Sequence, residues 1–276
     1  MSHALFAVVG DPIHQSLSPL IHNSWMRRAS LPAEYRGILI KTGEFAAGMR
    51  TLESQGIQGL NITAPHKHAA LEYCDKLSPE AARIGAVNTM LRDEDGAWMG
   101  LNTDKPGFIR SLSRIGIEDI KGRHVLVLGA GGAARAVVAA LVETGAQVRI
   151  ANRTLEKAQA LAESFGVPTT NCLSFDHGLA ALGASDLVIN TTSLGHKGEF
   201  EYQWPDGTGR MLYDISYGKA AGAFLTPAYE AGWQTEDGLG MLVGQAAVAF
   251  EAWFDITPDA ALAYGLCRKA LEAVGA

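Results

Sequence analysis

The sequence predicts an α/β protein of two domains: an N-terminal α/β domain with a mainly parallel sheet completed by C-terminal helices, and a second α/β domain inserted into it. Three observations lead there. Short apolar runs alternate with segments of helical periodicity, the order that builds parallel sheets. The alternation lapses after a hairpin signal and starts afresh at residue 124. The last two segments are helical and have no strand of their own, so they are expected to return to the first domain for a partner.

The first series begins with a strand over 5–9, which ends at Gly10-Asp11-Pro12. A helix over 19–29 follows, with Ser18 as its N-cap and Pro19 in its first turn. A strand over 35–40, a helix over 44–55, a strand over 60–63 and a helix over 67–74 continue it. Residues 86–92 and 97–101 flank Asp95-Gly96, a hairpin signal. A helix over 103–115 and a polar stretch over 117–123 lead to the second series. That series reads as strand 124–128, helix 132–144, strand 147–151, helix 154–165 and strands 186–190 and 211–215. Helices over 240–254 and 258–273 close the chain. The expected division is 1–103 plus 238–276 against 104–237, with the cleft between the two as the default ligand site.

Composition narrows the function classes. With 47% hydrophobic and 19% charged residues, the 276-residue chain is expected to fold around real cores. A net charge of −6 disfavours a nucleic-acid or membrane surface. The apolar run over 4–9 is too short for a signal peptide, and no run of about 18 apolar residues predicts a membrane span. Cys74, Cys172 and Cys267 are far apart and form no CxxC, which fits reduced thiols in a cytoplasmic protein. His66 and His68 flank Lys67 with no third ligand at metal spacing, so they read as surface or supporting residues and no metal is expected.

The strand over 124–128 runs into Gly129-Ala130-Gly131-Gly132-Ala133-Ala134, a fit to G-x-G-x-x-A. The first glycine permits the tight turn, the second lets backbone approach a pyrophosphate, and the small third residue lets helix and strand pack closely. The inserted domain is therefore expected to be a Rossmann fold whose helix N-terminus receives the phosphates. The next strand ends in Asn152-Arg153-Thr154 instead of the acidic residue that binds a ribose 2′-OH. Arg153 can pair with a 2′-phosphate, and Thr154 can donate to it while capping the next helix, so NADP is expected over NAD.

Five further segments concentrate short polar groups: 10–23, containing Ser16 and Ser18; 59–67, with Asn61, Thr63 and Lys67; 84–89, with Asn88; 100–108, with Asn102 and Asp104; and 237–247, with Gln245. Taken singly, Asp104 reads equally as a helix cap and the asparagines as turn residues. The five in this order, with GAGGA and NRT between the fourth and fifth, closely resemble the shikimate dehydrogenase family over almost the whole chain. The resemblance implies reversible NADPH-dependent reduction of 3-dehydroshikimate to shikimate, a step of aromatic amino acid and chorismate biosynthesis. It implies Lys67 and Asp104 as the catalytic pair, with Lys67 acting mainly as proton donor in ketone reduction. Ser16 and Ser18, helped by Tyr217, match holders of the substrate carboxylate, and Thr63, Asn88, Asp104 and Gln245 match groups that bind ring hydroxyls. Ile215 and Gly238 match positions near the nicotinamide.

Some positions depart from the family pattern: Gln15 in place of a His before the first serine, His196 where Met is common, Ala64-Pro65-His66-Lys67, and Asp214-Ile215-Ser216-Tyr217. Two relatives stay open, an NAD-preferring quinate/shikimate dehydrogenase and an enzyme of aminated shikimate-like substrates. Monomer and homodimer both stay open.

Overall fold

The computed structural model describes residues 4–195 and 202–275; His196 lies outside them. The chain divides into two compact units, Met1–Gly107 with Leu242–Val274, and Phe108–Met241.

The first unit holds β1(Ala4–Gly10), α1(Ser18–Arg28), β2(Ala33–Leu39), α2(Phe45–Ser54), β3(Ile57–Ile62), α3(Lys67–Tyr73), β4(Lys76–Leu77), α4(Pro79–Ile84), β5(Thr89–Arg92) and β6(Trp98–Leu101). Its six-stranded sheet runs β2-β1-β3-β5-β6-β4. β1 pairs in parallel with β2 and β3, whereas the hairpin β5–β6 adds on antiparallel. The period-2 geometry of β1 sends its side chains to two cores. Ala7 and Val9 join Met49, Leu52, Leu60 and Ile62 in one cluster. Phe6 turns the other way, with ring centroids 5.1 Å from Trp253 and 4.9 Å from Phe254. Those rings belong to α10(Leu239–Phe254), which with α11(Ala260–Gly275) brings the chain's end back to this sheet. Trp253 donates to the Met90 carbonyl at 3.1 Å, and Trp25 to the Asp259 carbonyl at 2.9 Å. Full burial of an aromatic such as Phe6 contributes roughly 1.5–3 kcal/mol of transfer free energy.

The second unit follows α5(Asp104–Arg114), which carries the chain out of the first. It holds β7(His124–Leu128), α6(Gly132–Glu143), β8(Gln147–Asn152), α7(Leu155–Ser164), β9(Cys172–Ser174), α8(Phe175–Ala180), β10(Leu187–Asn190), β11(Met211–Asp214), α9(Lys219–Glu230) and β12(Gln234–Glu236). The sheet is wholly parallel, in the order β12-β11-β10-β7-β8-β9. In chain order this is the doubly wound arrangement, and the winding reverses between β7 and β10. Being covered on both faces, its strands are near-continuous apolar runs. Leu126, Val188, Leu212 and Phe224 lie in one core, and α6 buries Ala134 and Val137 through Leu141.

The structure departs from the sequence reading in places. Ser18 is the first residue of α1 and not its cap; Leu17 holds the cap position, and Ser16 Oγ accepts the Ser18 N–H at 3.3 Å. Thr154 does stand at the cap of α7, but its hydroxyl makes no capping bond. His66 is buried, with Nε2 2.6 Å from the Ile40 carbonyl, whereas His68 is exposed beside Glu72. The two-residue β4, the one-and-a-half-turn α4 and α8, and the three-residue β9 and β12 are too short to leave a periodic signal. α9 carries Gly222 and Pro227, which read as breakers, yet burial of Ala221, Phe224 and Ala228 holds it helical. Burial pushes the Cys74 thiol up to about 12 and Cys267 to about 11, and all three cysteines are free thiols. Among the described residues no helix is long and apolar enough to cross a membrane.

Candidate active site

In the first unit the predicted polar residues converge at the ends of β3, β5 and β6. Lys67 opens α3 and Asp104 opens α5, and Lys67 Nζ donates to Asp104 Oδ2 at 2.5 Å. The side chains are only 15% and 7% exposed, so this is a largely dehydrated ion pair and not a surface bridge. Asp104 is released from capping duty by its neighbour. Asn102 Oδ1 accepts the N–H groups of Asp104 and Lys105, while Asn102 Nδ2 donates to the Ala86 carbonyl.

Asn88 ties the pair to the rest. Its Oδ1 accepts the Thr103 N–H at 2.7 Å, which fixes the amide orientation. Its Nδ2 must then face Asp104 Oδ1, at 2.8 Å, and Thr103 Oγ1, at 3.0 Å. Gln245, brought in by α10, places Oε1 3.4 Å from both Asn88 Nδ2 and Thr103 Oγ1. Beneath them runs a buried chain of which the sequence marks Asn61 but not Tyr35 or Thr89. Tyr35 donates to Asn61 Oδ1 at 2.7 Å, Asn61 to Thr89 Oγ1 at 3.0 Å, and Thr89 lies 3.1 Å from Thr103 Oγ1. An asparagine inside the apolar run of β3 was the one available signal, because a buried amide needs partners. The phenol of Tyr35 also meets the Ser18 hydroxyl, so the Ser16–Ser18 segment adjoins the same network. Burial raises that phenol well above its ordinary range. Thr63 follows β3 directly, four residues before Lys67, its N–H bonded to the Val9 carbonyl.

In the second unit the Gly129-Ala130-Gly131-Gly132-Ala133 segment joins β7 to α6 at the reversal of the sheet. Gly129 has φ +110°, and a Cβ there would lie 2.5 Å from Thr191 Oγ1. A Cβ on Gly131 would meet nothing within 4 Å, so the N-terminus of α6 faces open space. These features fit a dinucleotide pyrophosphate. Asn152 ends β8, and Arg153 and Thr154 follow it; Asn152 Nδ2 donates to the Thr154 carbonyl, and Arg153 is exposed, free to reach a 2′-phosphate. Ile215 follows β11 on the loop that also carries Tyr217, and Gly238 lies against it, with its N–H bonded to the Ser216 carbonyl at 2.8 Å. Among the described residues no cluster of His, Cys, Asp and Glu could hold a metal.

Comparison with known proteins agrees with this geometry. Residues 8–90 match the family model of the shikimate dehydrogenase substrate binding domain, 111–215 that of shikimate / quinate 5-dehydrogenase, and 238–271 that of the shikimate 5′-dehydrogenase C-terminal domain. The chain is 49% identical over 273 residues to the shikimate dehydrogenase (NADP(+)) of Hyphomonas neptunium, covering 99% of each. It is 37% identical to that of Shouchella clausii, covering 98% of this chain and 96% of the relative. Among solved structures, shikimate dehydrogenase from Aquifex aeolicus superposes with a TM-score of 0.88 at 34% identity, covering 96% of this chain and 98% of the other. Shikimate 5-dehydrogenase from Thermus thermophilus, in complex with NADP(H) and shikimate, superposes with a TM-score of 0.85 at 36% identity, covering 97% and 99%. With its buried Lys67–Asp104 pair, its doubly wound nucleotide fold and full-length likeness to these proteins, the chain belongs to the shikimate dehydrogenase family.

Proposed function

We propose that this protein is a cytoplasmic enzyme that interconverts shikimate and 3-dehydroshikimate with NADP. The first unit takes the substrate and the second the nucleotide; the units divide after Gly107 and Met241, where the sequence led to an expected division after 103 and 237. The observation that carries the reading is the Lys67–Asp104 pair held inside the Asn88–Thr103–Gln245 cluster.

Bound NADP supplies the hydride acceptor, and its reduced form the hydride donor. Gly129, Ala130, Gly131, Gly132 and Ala133 take the pyrophosphate, Asn152, Arg153 and Thr154 the adenosine 2′-phosphate, and Ile215 and Gly238 border the nicotinamide. Ser16 and Ser18, with Tyr217, hold the substrate carboxylate, and Thr63, Asn88 and Gln245 hold ring hydroxyls. A site built of such groups rejects analogues that leave them unpaired. In reduction the Lys67 ammonium stabilises the forming alkoxide and gives it a proton; in oxidation the same nitrogen receives the hydroxyl proton. Asp104 aims the ammonium and accepts from a ring hydroxyl.

The test is initial rates of shikimate oxidation by the purified protein with NADP⁺ and NAD⁺ in parallel, and quinate as second substrate. Rapid NADP⁺ reduction with shikimate alone is the expected result. Equal turnover with NAD⁺ and quinate would move the protein to the dual-specificity branch, and no turnover with either would overturn the substrate assignment.

A further inference from the structure

Two fully buried polar side chains in the second unit, Asn190 and Asp214, form a polar junction between its strand ends. They end the adjacent parallel strands β10 and β11 and face each other, with Asn190 Nδ2 donating to Asp214 Oδ2 at 2.9 Å. Each then holds the loop that follows its own strand. Asn190 Oδ1 accepts the Thr192 N–H at 3.0 Å and the Thr192 hydroxyl at 2.6 Å. Asp214 Oδ1 accepts the Ser216 N–H at 2.8 Å. The main chain doubles the lock, since the Ile215 N–H bonds to the Asn190 carbonyl at 3.0 Å.

Both loops lie at the carboxyl ends of strands, where an open α/β sheet binds its ligand. The first packs against the glycine turn, because a Cβ at Gly129 would touch Thr191 and Thr192. The second carries Ile215 and supports Gly238. We infer that Asn190 and Asp214 are positioning residues that lock the loop after β10 to the loop after β11 and thereby set the place of Ile215 beside the nicotinamide. This rests on the NADP reading of the second unit. Burial without a cation raises the Asp214 carboxyl to about 6, the reverse of what a surface aspartate does.

The polarity of the bonds supplies a discriminating test. Asp214 accepts from Asn190 on one oxygen and from Ser216, whose hydroxyl also bonds to the carboxylate, so Asp214→Asn keeps the Ser216 N–H bond only by turning its own NH₂ toward the NH₂ of Asn190. Asn190 cannot flip in response, because its oxygen is engaged by Thr192. The exchanged pair Asn190→Asp/Asp214→Asn satisfies every bond: the new aspartate accepts from Thr192 and from the new asparagine, whose oxygen accepts from Ser216.

Calorimetric titration with NADP⁺ and with adenosine 2′,5′-bisphosphate, which lacks the nicotinamide half, reads the effect. Asp214→Asn is expected to weaken NADP⁺ about tenfold, the size of one lost charge-assisted hydrogen bond. The bisphosphate is expected to bind the single variant as tightly as the unaltered protein, and the exchanged pair to recover NADP⁺ affinity. Equal weakening of both ligands, an unchanged NADP⁺ affinity in the single variant, or no recovery in the exchanged pair would each overturn the inference. Failure of the unaltered protein to bind the bisphosphate would instead overturn the NADP reading itself, and the inference with it.

Discussion

Replacing Lys67 by Met probes the ion pair at the centre of the site. Lys67 Nζ stands 2.5 Å from Asp104 Oδ2, and the carboxylate side chain is 7% exposed. With the ammonium gone, Asp104 keeps a single side-chain donor, the 2.8 Å bond from Asn88, and too little water contact to make up the loss. Leaving one charge of a buried pair uncompensated costs about 3–5 kcal/mol. That is a large part of the ~5–15 kcal/mol that holds a typical domain folded. The partner variant Lys67→Met/Asp104→Asn removes the stranded charge, and its amide oxygen can still accept from Asn88. It should therefore regain most of the lost stability while staying inactive. Urea unfolding at pH 8 without ligands measures the first effect, and initial rates of shikimate oxidation measure the second. Turnover should fall by at least ~10²-fold in both variants, the usual contribution of a proton-transfer group. A single variant as stable as the unaltered protein, or a double variant less stable than the single, would refute the reasoning about the pair. Near-normal turnover of either would remove Lys67 from catalysis.

Three other perturbations follow from the same structure. Asp214 has its folded-state pKa raised to about 6 by burial, so the folded protein binds its proton more tightly than the unfolded chain does. Stability relative to Asp214→Asn should therefore be greatest below pH 4 and fall by about 2 kcal/mol between pH 4 and pH 7, and a flat or rising difference in urea unfolding would contradict it. Gly238→Ala would put a Cβ 1.9 Å from the Ile215 carbonyl oxygen, so the backbone must shift; NADP⁺ binding should weaken measurably in calorimetry while shikimate binding holds. Arg153→Ala should cost NADP⁺ affinity about tenfold or more and leave NAD⁺ nearly unchanged, because only the former carries the 2′-phosphate; equal losses in initial-rate KM would make Arg153 a surface residue.

Much of this protein was settled by local chemistry. Apolar runs over 124–128 and 186–190 with helical stretches between them require a doubly covered parallel sheet, and G-x-G-x-x-A at a strand-to-helix turn requires positive φ at Gly129. Lys67, Asn88, Asp104 and Gln245 were legible because short polar residues at strand ends and helix starts are unusual in that order, and the resemblance they carry spans the chain. Their meeting was legible only through that resemblance and not from the residues themselves. Residues 67, 88, 104 and 245 converge only because β3, β5 and β6 lie side by side and α10 returns to them, a matter of long-range packing and not of local periodicity. The same holds for Tyr35, Asn61, Thr89 and Thr103, each an ordinary strand or loop residue until burial obliges it to find a partner. It holds also for Asn190 and Asp214, which are neighbours only across a parallel ladder. Sequence determined which groups were available and the elements that carry them. The tertiary structure decided which of those groups lose water together, and it is that shared loss of water that makes a lysine and an aspartate, 37 residues apart, into a dehydrated ion pair.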